Sequence, residues 1–203
     1  MPMGELRAII YDLDGVLADT QNANLKAYEA AFAKLDLPWS PRVARDLTGA
    51  SFSVWIETLC PWLQPERREA LASLKRDLYP TFFEHLVANA SLVSQIRARV
   101  GKLPQCVAST ASRANGEAVL DFLGMTHLFE FSVFNEDVEN PKPDPECYSL
   151  CMDRLSLHPS ECLILEDSAV GLKAARRSGA AVMRVLPWSA GSTPHTRDPE
   201  RTH

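Results

Sequence analysis

This sequence has no run approaching the ~20 consecutive apolar residues that a helix needs to cross a bilayer. Its first residues, Met1-Pro2-Met3-Gly4-Glu5-Leu6-Arg7, lack the long apolar stretch and small-residue cleavage site of a secretory signal. These absences predict a cytoplasmic protein without a membrane partner. Basic charge is also short: 21 Lys and Arg stand against 26 Asp and Glu, a formal net charge of −5. That balance leaves no electrostatic footprint for nucleic acid or for an anionic lipid surface. The cysteines, Cys60, Cys106, Cys147, Cys151 and Cys162, are odd in number and sit mostly inside apolar segments. A disulfide framework is therefore not expected. A zinc site from Cys147, Cys151, His158 and Cys162 would lack the paired Cys-x-x-Cys knuckle. Buried thiols acting as small hydrophobes are the expectation. Internal repeats and low-complexity tracts are missing as well.

What is present is ordinary globular composition, 46% apolar and 23% charged in 203 residues, enough for one core domain carrying a smaller insert. Arg7 to Tyr11 is a short β-branched apolar run that reads as a buried strand, ending in Asp12-Leu13-Asp14-Gly15. From Thr20 to Leu86 Gly49 is the only glycine, and Leu25, Tyr28, Ala31, Phe32 and Leu35 recur at helical spacing. Leu37-Pro38-Trp39-Ser40-Pro41, Cys60-Pro61 and Gln64-Pro65 divide this stretch into several helices. Trp55, Trp62, Phe82 and Phe83 read as its apolar core. Strand and helix then alternate, with strands at 105–108, 129–134, 162–165 and 181–186. The intervening helices fall at 112–123, 145–155 and 169–178, with Gly124 and Gly179 as stops. Continuous apolar strands in such alternation predict an α/β fold: a Rossmann-like doubly wound parallel sheet with an inserted all-helical cap domain. The expected division is a catalytic core at 1–19 and 87–188, a cap at 20–86, and a disordered tail at 189–203, which has no Leu, Ile, Val or Phe.

Open parallel sheets bind ligands outside the carboxyl ends of their strands, and four strand ends here carry pointed chemistry. Asp12 and Asp14 leave an apolar strand two residues apart, followed by Gly15. Unpaired, they would repel, so a cation or acid–base work fits better than a simple Asx turn. Ser109-Thr110-Ala111-Ser112 follows a strand and opens a helix. It can offer N–H groups and hydroxyls to an anion, or serve as an N-cap. Lys142 stands between Pro141 and Pro143, a stiff setting for a cation that must point one way, or a surface lysine in a rigid turn. Glu166-Asp167-Ser168 ends the last buried strand. It offers hard oxygens to a metal, or only helix caps.

Taken in order, these segments resemble the four motifs of the haloacid dehalogenase superfamily, in its phosphatase and phosphoglucomutase branch with a helical cap. The first, Asp-x-Asp-Gly-x-x-x-Asp-Thr at Asp12 to Thr20, is the most specific, and the likeness runs from Arg7 to Leu186. The resemblance implies that Asp12 is a nucleophile forming an aspartyl-phosphate and that Asp14 is the general acid–base. It implies phosphate binding by Ser109, Thr110 and Lys142. It also implies Mg²⁺ held by Asp12, the Asp14 carbonyl, Asp167 and Glu166. The second aspartate, Asp14, separates phosphoryl transfer from the dehalogenase branch, which lacks it.

The implied function is a Mg²⁺-dependent phosphatase for a small phosphorylated metabolite, a sugar or sugar-acid phosphate. Mutase relatives carry a His in the first cap helix and an Arg after a Gly-x-Ser. Here Asn24 and Phe52 stand there, the latter in Thr48-Gly49-Ala50-Ser51-Phe52. Both departures count against a sugar-phosphate phosphotransferase, which is the second reading. Lys26, Lys75 and Arg76 remain as cap cations. A non-catalytic binding module is the remote third reading, and a monomer and a dimer both remain open.

Overall fold

The computed structural model describes residues 5–47 and 52–188. Thr48 to Ser51 of the cap motif and the expected tail at 189–203 lie outside the described residues. β1 (Ala8–Tyr11) occupies the centre of a five-stranded sheet with β4 (Gln105–Ala108), β5 (Phe131–Val133), β6 (Cys162–Glu166) and β7 (Ala181–Arg184). The strand order is β5-β4-β1-β6-β7, and every pairing is parallel. The order runs outward from β1 in both directions, so the crevice at the carboxyl end of β1 is where a ligand fits.

Alternation along each strand builds the two faces. Ile9 and Tyr11 join Val107 and Leu165 in one apolar cluster. Ala8 and Ile10 join Cys106, Ala108, Cys162 and Ile164 in another. Both sides of a strand are buried because helices cover both faces. α5 (Ala90–Arg99) and α6 (Arg113–Phe122) supply Ile96, Val119 and Leu120 to the first. α7 (Glu146–Leu155) and α8 (Ala169–Arg177) supply Tyr148, Cys151, Met152, Ala174 and Ala175 to the second. The cysteines behave as small hydrophobes: all five are free and buried.

Between Tyr11 and α5 the chain leaves the sheet through a two-stranded antiparallel ribbon, β2 (Ala18–Asp19) against β3 (Val87–Ala88). The helices α1 (Gln21–Lys34), α2 (Pro41–Asp46), α3 (Phe52–Leu59) and α4 (Pro65–Leu78), and a 3₁₀ segment at Tyr79–His85, lie between its two strands. They form their own apolar cluster around Tyr28, Phe32, Trp55, Ile56 and Leu71. Tyr28 and Trp55 stack with ring centroids 4.2 Å apart. No helix among the described residues is long and apolar enough to cross a membrane.

Several sequence expectations need correction. Of the four aromatics expected in the cap core, Trp55 is there, Phe82 and Phe83 pack instead in the sheet cluster of Ile9, Tyr11 and Val107, and Trp62 is 57% exposed. It sits in the turn after Cys60, where no helix face directs it inward. The strands expected at 129–134 and 181–186 shorten to β5 and β7, because edge strands have a ladder partner on one side only. Pro145 is the N-cap of α7 rather than its first residue. The ribbon and α5 were not expected at all. Half of Ala90–Arg99 is Ser, Gln and Arg, and only Ile96 of it is fully buried.

Candidate active site

The site begins where β1 ends. The Asp12 amide donates to the Leu165 carbonyl over 3.0 Å, which fixes Asp12 beside β6. The next residues curl back: the amides of Leu17 and Ala18 donate to Leu13 O, and that of Gly15 donates to Ala18 O over 2.7 Å. Gly15 has φ +79°, and a Cβ there would lie 2.1 Å from Asp167 Oδ2. Only glycine fits both the left-handed turn and the close approach of that carboxylate. The curl turns Asp14 toward Thr20, whose hydroxyl donates to Asp14 Oδ1.

Lys142 reaches into this crevice from the loop before α7. Its ammonium lies 2.7 Å from Asp12 Oδ1, 2.8 Å from Glu166 Oε2 and 3.2 Å from the Ala108 carbonyl. Both ion pairs are nearly sealed from solvent, with the Lys142 side chain 5% exposed. The loop itself is held by the Glu146 carboxylate, which accepts from the Glu139 amide and from both the amide and side chain of Asn140. Arg177 adds a bond to the Pro143 carbonyl over 2.9 Å.

Glu166 ends β6 and is saturated. Oε2 accepts from Lys142 and from the Tyr148 hydroxyl at 2.6 Å. Oε1 accepts from the Asp167 and Ser168 amides and the Ser168 hydroxyl, each at 3.0 Å. Ser168 also caps α8, its Oγ accepting from the Gly171 amide. Gly171 lets the first turn of α8 pass over the acid, since a Cβ there would meet Glu166 Oε2 at 1.8 Å.

The electrostatics follow from burial. Desolvation pushes Glu166 up, but the Lys142 ammonium and the bonds from Lys142, Tyr148 and Ser168 outweigh it and hold the carboxyl below its ordinary range. Burial works against the Lys142 charge too. Asp12, Tyr148 and Glu166 overcome it and keep the ammonium protonated. Asp12 is pushed up by burial, and the charges of Glu166 and Asp14 push the same way against Lys142. Asp167 is pushed up to about 6, first by burial and then by Glu166 beside it. Carboxylates so crowded, with one ammonium among them, call for further positive charge.

The residues fit a hard divalent cation. Asp12, Glu166 and Asp167 each present a carboxylate oxygen within 4.8 Å of the others. Oxygen-only donors suit Mg²⁺. Of the three, Asp167 has no ion pair with the chain among the described residues, and it rests in the cradle that Gly15 leaves open.

Of the residues singled out from sequence, Asp12, Lys142 and Glu166 are directly bonded. Asp167 is within reach of them, whereas the Asp14 carboxylate bonds to Thr20 and acts on Asp12 through its charge. Ser109 lies at the end of β4, buried, its Oγ accepting from the Ala111 amide over 3.0 Å, and Thr110 beside it is exposed. Lys26 and Arg76 are exposed, while Lys75 is turned inward. Tyr148, Glu146 and Arg177 were missed. An acid in the first turn of a helix after a Pro-rich loop was a usable signal for Glu146.

A family described as haloacid dehalogenase-like hydrolase matches residues 9–185. The chain is 29% identical over 177 residues to the fructose-1-phosphate phosphatase YqaB of Escherichia coli, covering 84% of this chain and 92% of that protein. It is 30% identical over 194 residues to the protein CbbY of Rhodobacter capsulatus, covering 88% and 85%. The crystal structure of CbbY from Rhodobacter sphaeroides in complex with phosphate superposes with a TM-score of 0.76 at 24% identity, over 90% of this chain and 87% of that one.

Proposed function

Because the chain belongs to the haloacid dehalogenase-like hydrolases and is a phosphoric monoester hydrolase, we propose that it is a Mg²⁺-dependent phosphatase of a small sugar or sugar-acid phosphate. The reaction runs through an aspartyl-phosphate on Asp12. The observation that carries this reading is the sealed Asp12–Lys142–Glu166 ion-pair cluster with Asp167 alongside.

A dianionic phosphate ~4 Å from the Asp12 carboxylate is repelled by roughly 8 kcal/mol at an effective dielectric of 20. Lys142, bonded to Asp12 Oδ1, offsets part of this. Asp12, Asp167 and the Asp14 carbonyl would hold Mg²⁺. When bound, the ion supplies two positive charges beside the phosphoryl oxygens. Glu166, its oxygens already occupied, acts chiefly by anchoring Lys142.

An Asp12 oxygen attacks phosphorus, the P–O bond to the alcohol breaks, and Asp14 gives its proton to the leaving oxygen. Asp14 then takes a proton from water as that water attacks the phosphorus. The bond to Asp12 breaks and phosphate leaves. Ser109 and the Thr110 amide steady the phosphoryl group at the opening of α6.

Release of phosphate from p-nitrophenyl phosphate tests the reading. It requires Mg²⁺ and disappears in Asp12→Asn. Turnover that survives that change, or that needs no metal, overturns the mechanism. Isomerisation of a hexose 1-phosphate to its 6-phosphate without loss of phosphate would favour the phosphotransferase instead.

A further inference from the structure

Lys75 lies on α4, its ammonium turned inward while the next residue, Arg76, is exposed. Nζ donates to Asn24 Oδ1 over 2.6 Å. It lies 4.6 Å from the ring centroid of Tyr79 and 5.0 Å from that of Tyr28. Among the described residues no carboxylate forms an ion pair with it. Asn24 in turn donates to the Thr20 carbonyl over 3.2 Å and toward the Tyr79 hydroxyl at 3.5 Å. The Thr20 hydroxyl donates to Asp14. A short hydrogen-bonded path thus leads from this cation to the acid–base carboxylate, and the charge of Asp14 is felt at Lys75.

A largely desolvated ammonium is costly unless an anion compensates it. An amide oxygen and two ring faces lower that cost without cancelling the charge. Asp14 offsets only part of the charge: its Oδ1 takes the Thr20 hydroxyl, and no ion pair among the described residues joins it to Lys75. An ammonium has three N–H donors, and Asn24 uses one. The cation is held in place by neutral groups, on the cap side of the acid–base residue, with donors to spare.

We propose that Lys75, positioned by Asn24, Tyr28 and Tyr79, selects substrates that carry a second anionic group, a carboxylate or a second phosphate, beyond the ester to be cleaved. The inference rests on the phosphatase reading and narrows it, since neutral sugar phosphates would leave this cation only partly compensated.

The experiment is titration calorimetry with Mg²⁺ on Asp12→Asn protein, so that binding is read without turnover. Three two-carbon esters serve as probes: 2-phosphoglycolate, ethane-1,2-diol bisphosphate and the neutral 2-hydroxyethyl phosphate. The expected result is at least tenfold tighter binding of one or both anionic esters than of the neutral one. Whichever shows the preference identifies the carboxylate or the phosphate as the group taken. The preference collapses in Lys75→Met and persists in Lys75→Arg, with circular dichroism showing both variants folded. Equal affinity for all three esters, or a preference that survives Lys75→Met, overturns the inference. An equal loss on every ester in Lys75→Met also overturns it and assigns Lys75 to Asp14 instead. Turnover of p-nitrophenyl phosphate by the unmutated chain is scored separately, so the phosphatase reading stands or falls independently.

Discussion

The Tyr148 hydroxyl donates to Glu166 Oε2 over 2.6 Å, and the same ring lies 4.7 Å from the Lys142 ammonium. One buried phenol therefore holds both ends of the Lys142–Glu166 ion pair. With that donor, Glu166 Oε2 shares its charge between Tyr148 and Lys142, which leaves Lys142 able to serve Asp12 as well. Tyr148→Phe keeps the ring and deletes the donor. A hydrogen bond to a charged group is worth about 1.5–3 kcal/mol, so kcat on p-nitrophenyl phosphate should fall by about 10- to 100-fold. KM should change less, because the phosphate-binding groups stay in place. A kcat equal to that of the parent chain would show that Lys142 needs no such support.

Lys142→Met should abolish turnover and destabilise the fold. It leaves Asp12 and Glu166 buried and facing each other without a cation, and breaking a buried pair in this way costs about 3–5 kcal/mol. Part of that cost vanishes if Glu166 takes up a proton. Thermal unfolding should therefore show a smaller deficit at pH 5 than at pH 7. Lys142→Arg should not restore activity, since the planar guanidinium cannot replace a compact ammonium that bonds Asp12, Glu166 and the Ala108 carbonyl at once.

The core of the site was legible because its residues interrupt apolar strands. Asp12, Asp14, Glu166 and Asp167 stand at the ends of β1 and β6, and Lys142 stands between prolines. Such contrasts are local in sequence. The supporting residues are not: Tyr148 reaches Glu166 across 18 positions, and Lys75 reaches Asn24 across 51. Nothing local distinguishes Lys75 from Lys26 or Arg76, which the fold leaves exposed. The same reason hid α5. Its single buried Ile96 gives a weak helical stripe, although Asn89 accepting from the Leu92 amide is a regular N-cap. Trp62 failed in the opposite direction, because an aromatic residue reads as core wherever it lies.

Lys75 also makes stability depend on pH. Burial lowers it to about 8, against a partial pull from Asp14. The other groups facing it do not titrate nearby: burial pushes Tyr28 up to about 12 and Tyr79 further, and Asn24 is neutral. Because the native value lies below the unfolded 10.5, the unfolded chain binds more protons between the two. Stability from this group therefore rises as pH increases through that window. Lys75→Met should be more stable than the parent at pH 7, and the difference should shrink by pH 10. Chemical denaturation at both pH values measures it. A parent chain as stable as the variant at pH 7 would mean that its surroundings compensate the ammonium fully.

Trp188, beyond the last strand, donates its indole N–H to the Gly15 carbonyl over 3.1 Å, across 173 positions. That carbonyl follows Asp14 directly and belongs to the turn whose amide closes on Ala18. The far end of the described chain thus fixes the peptide that follows Asp14. Trp188→Phe keeps most of the ring and removes the donor. A single net hydrogen bond is worth about 1 kcal/mol. The melting temperature should drop by about 2–4 °C, and kcat should fall about 5-fold if the turn loosens around Asp14. The KM for p-nitrophenyl phosphate should hardly move, since Ser109 and Lys142 are untouched. A drop in melting temperature with kcat intact would reduce Trp188 to a structural tether. A lowered kcat with KM retained would mark it as a positioning residue for Asp14.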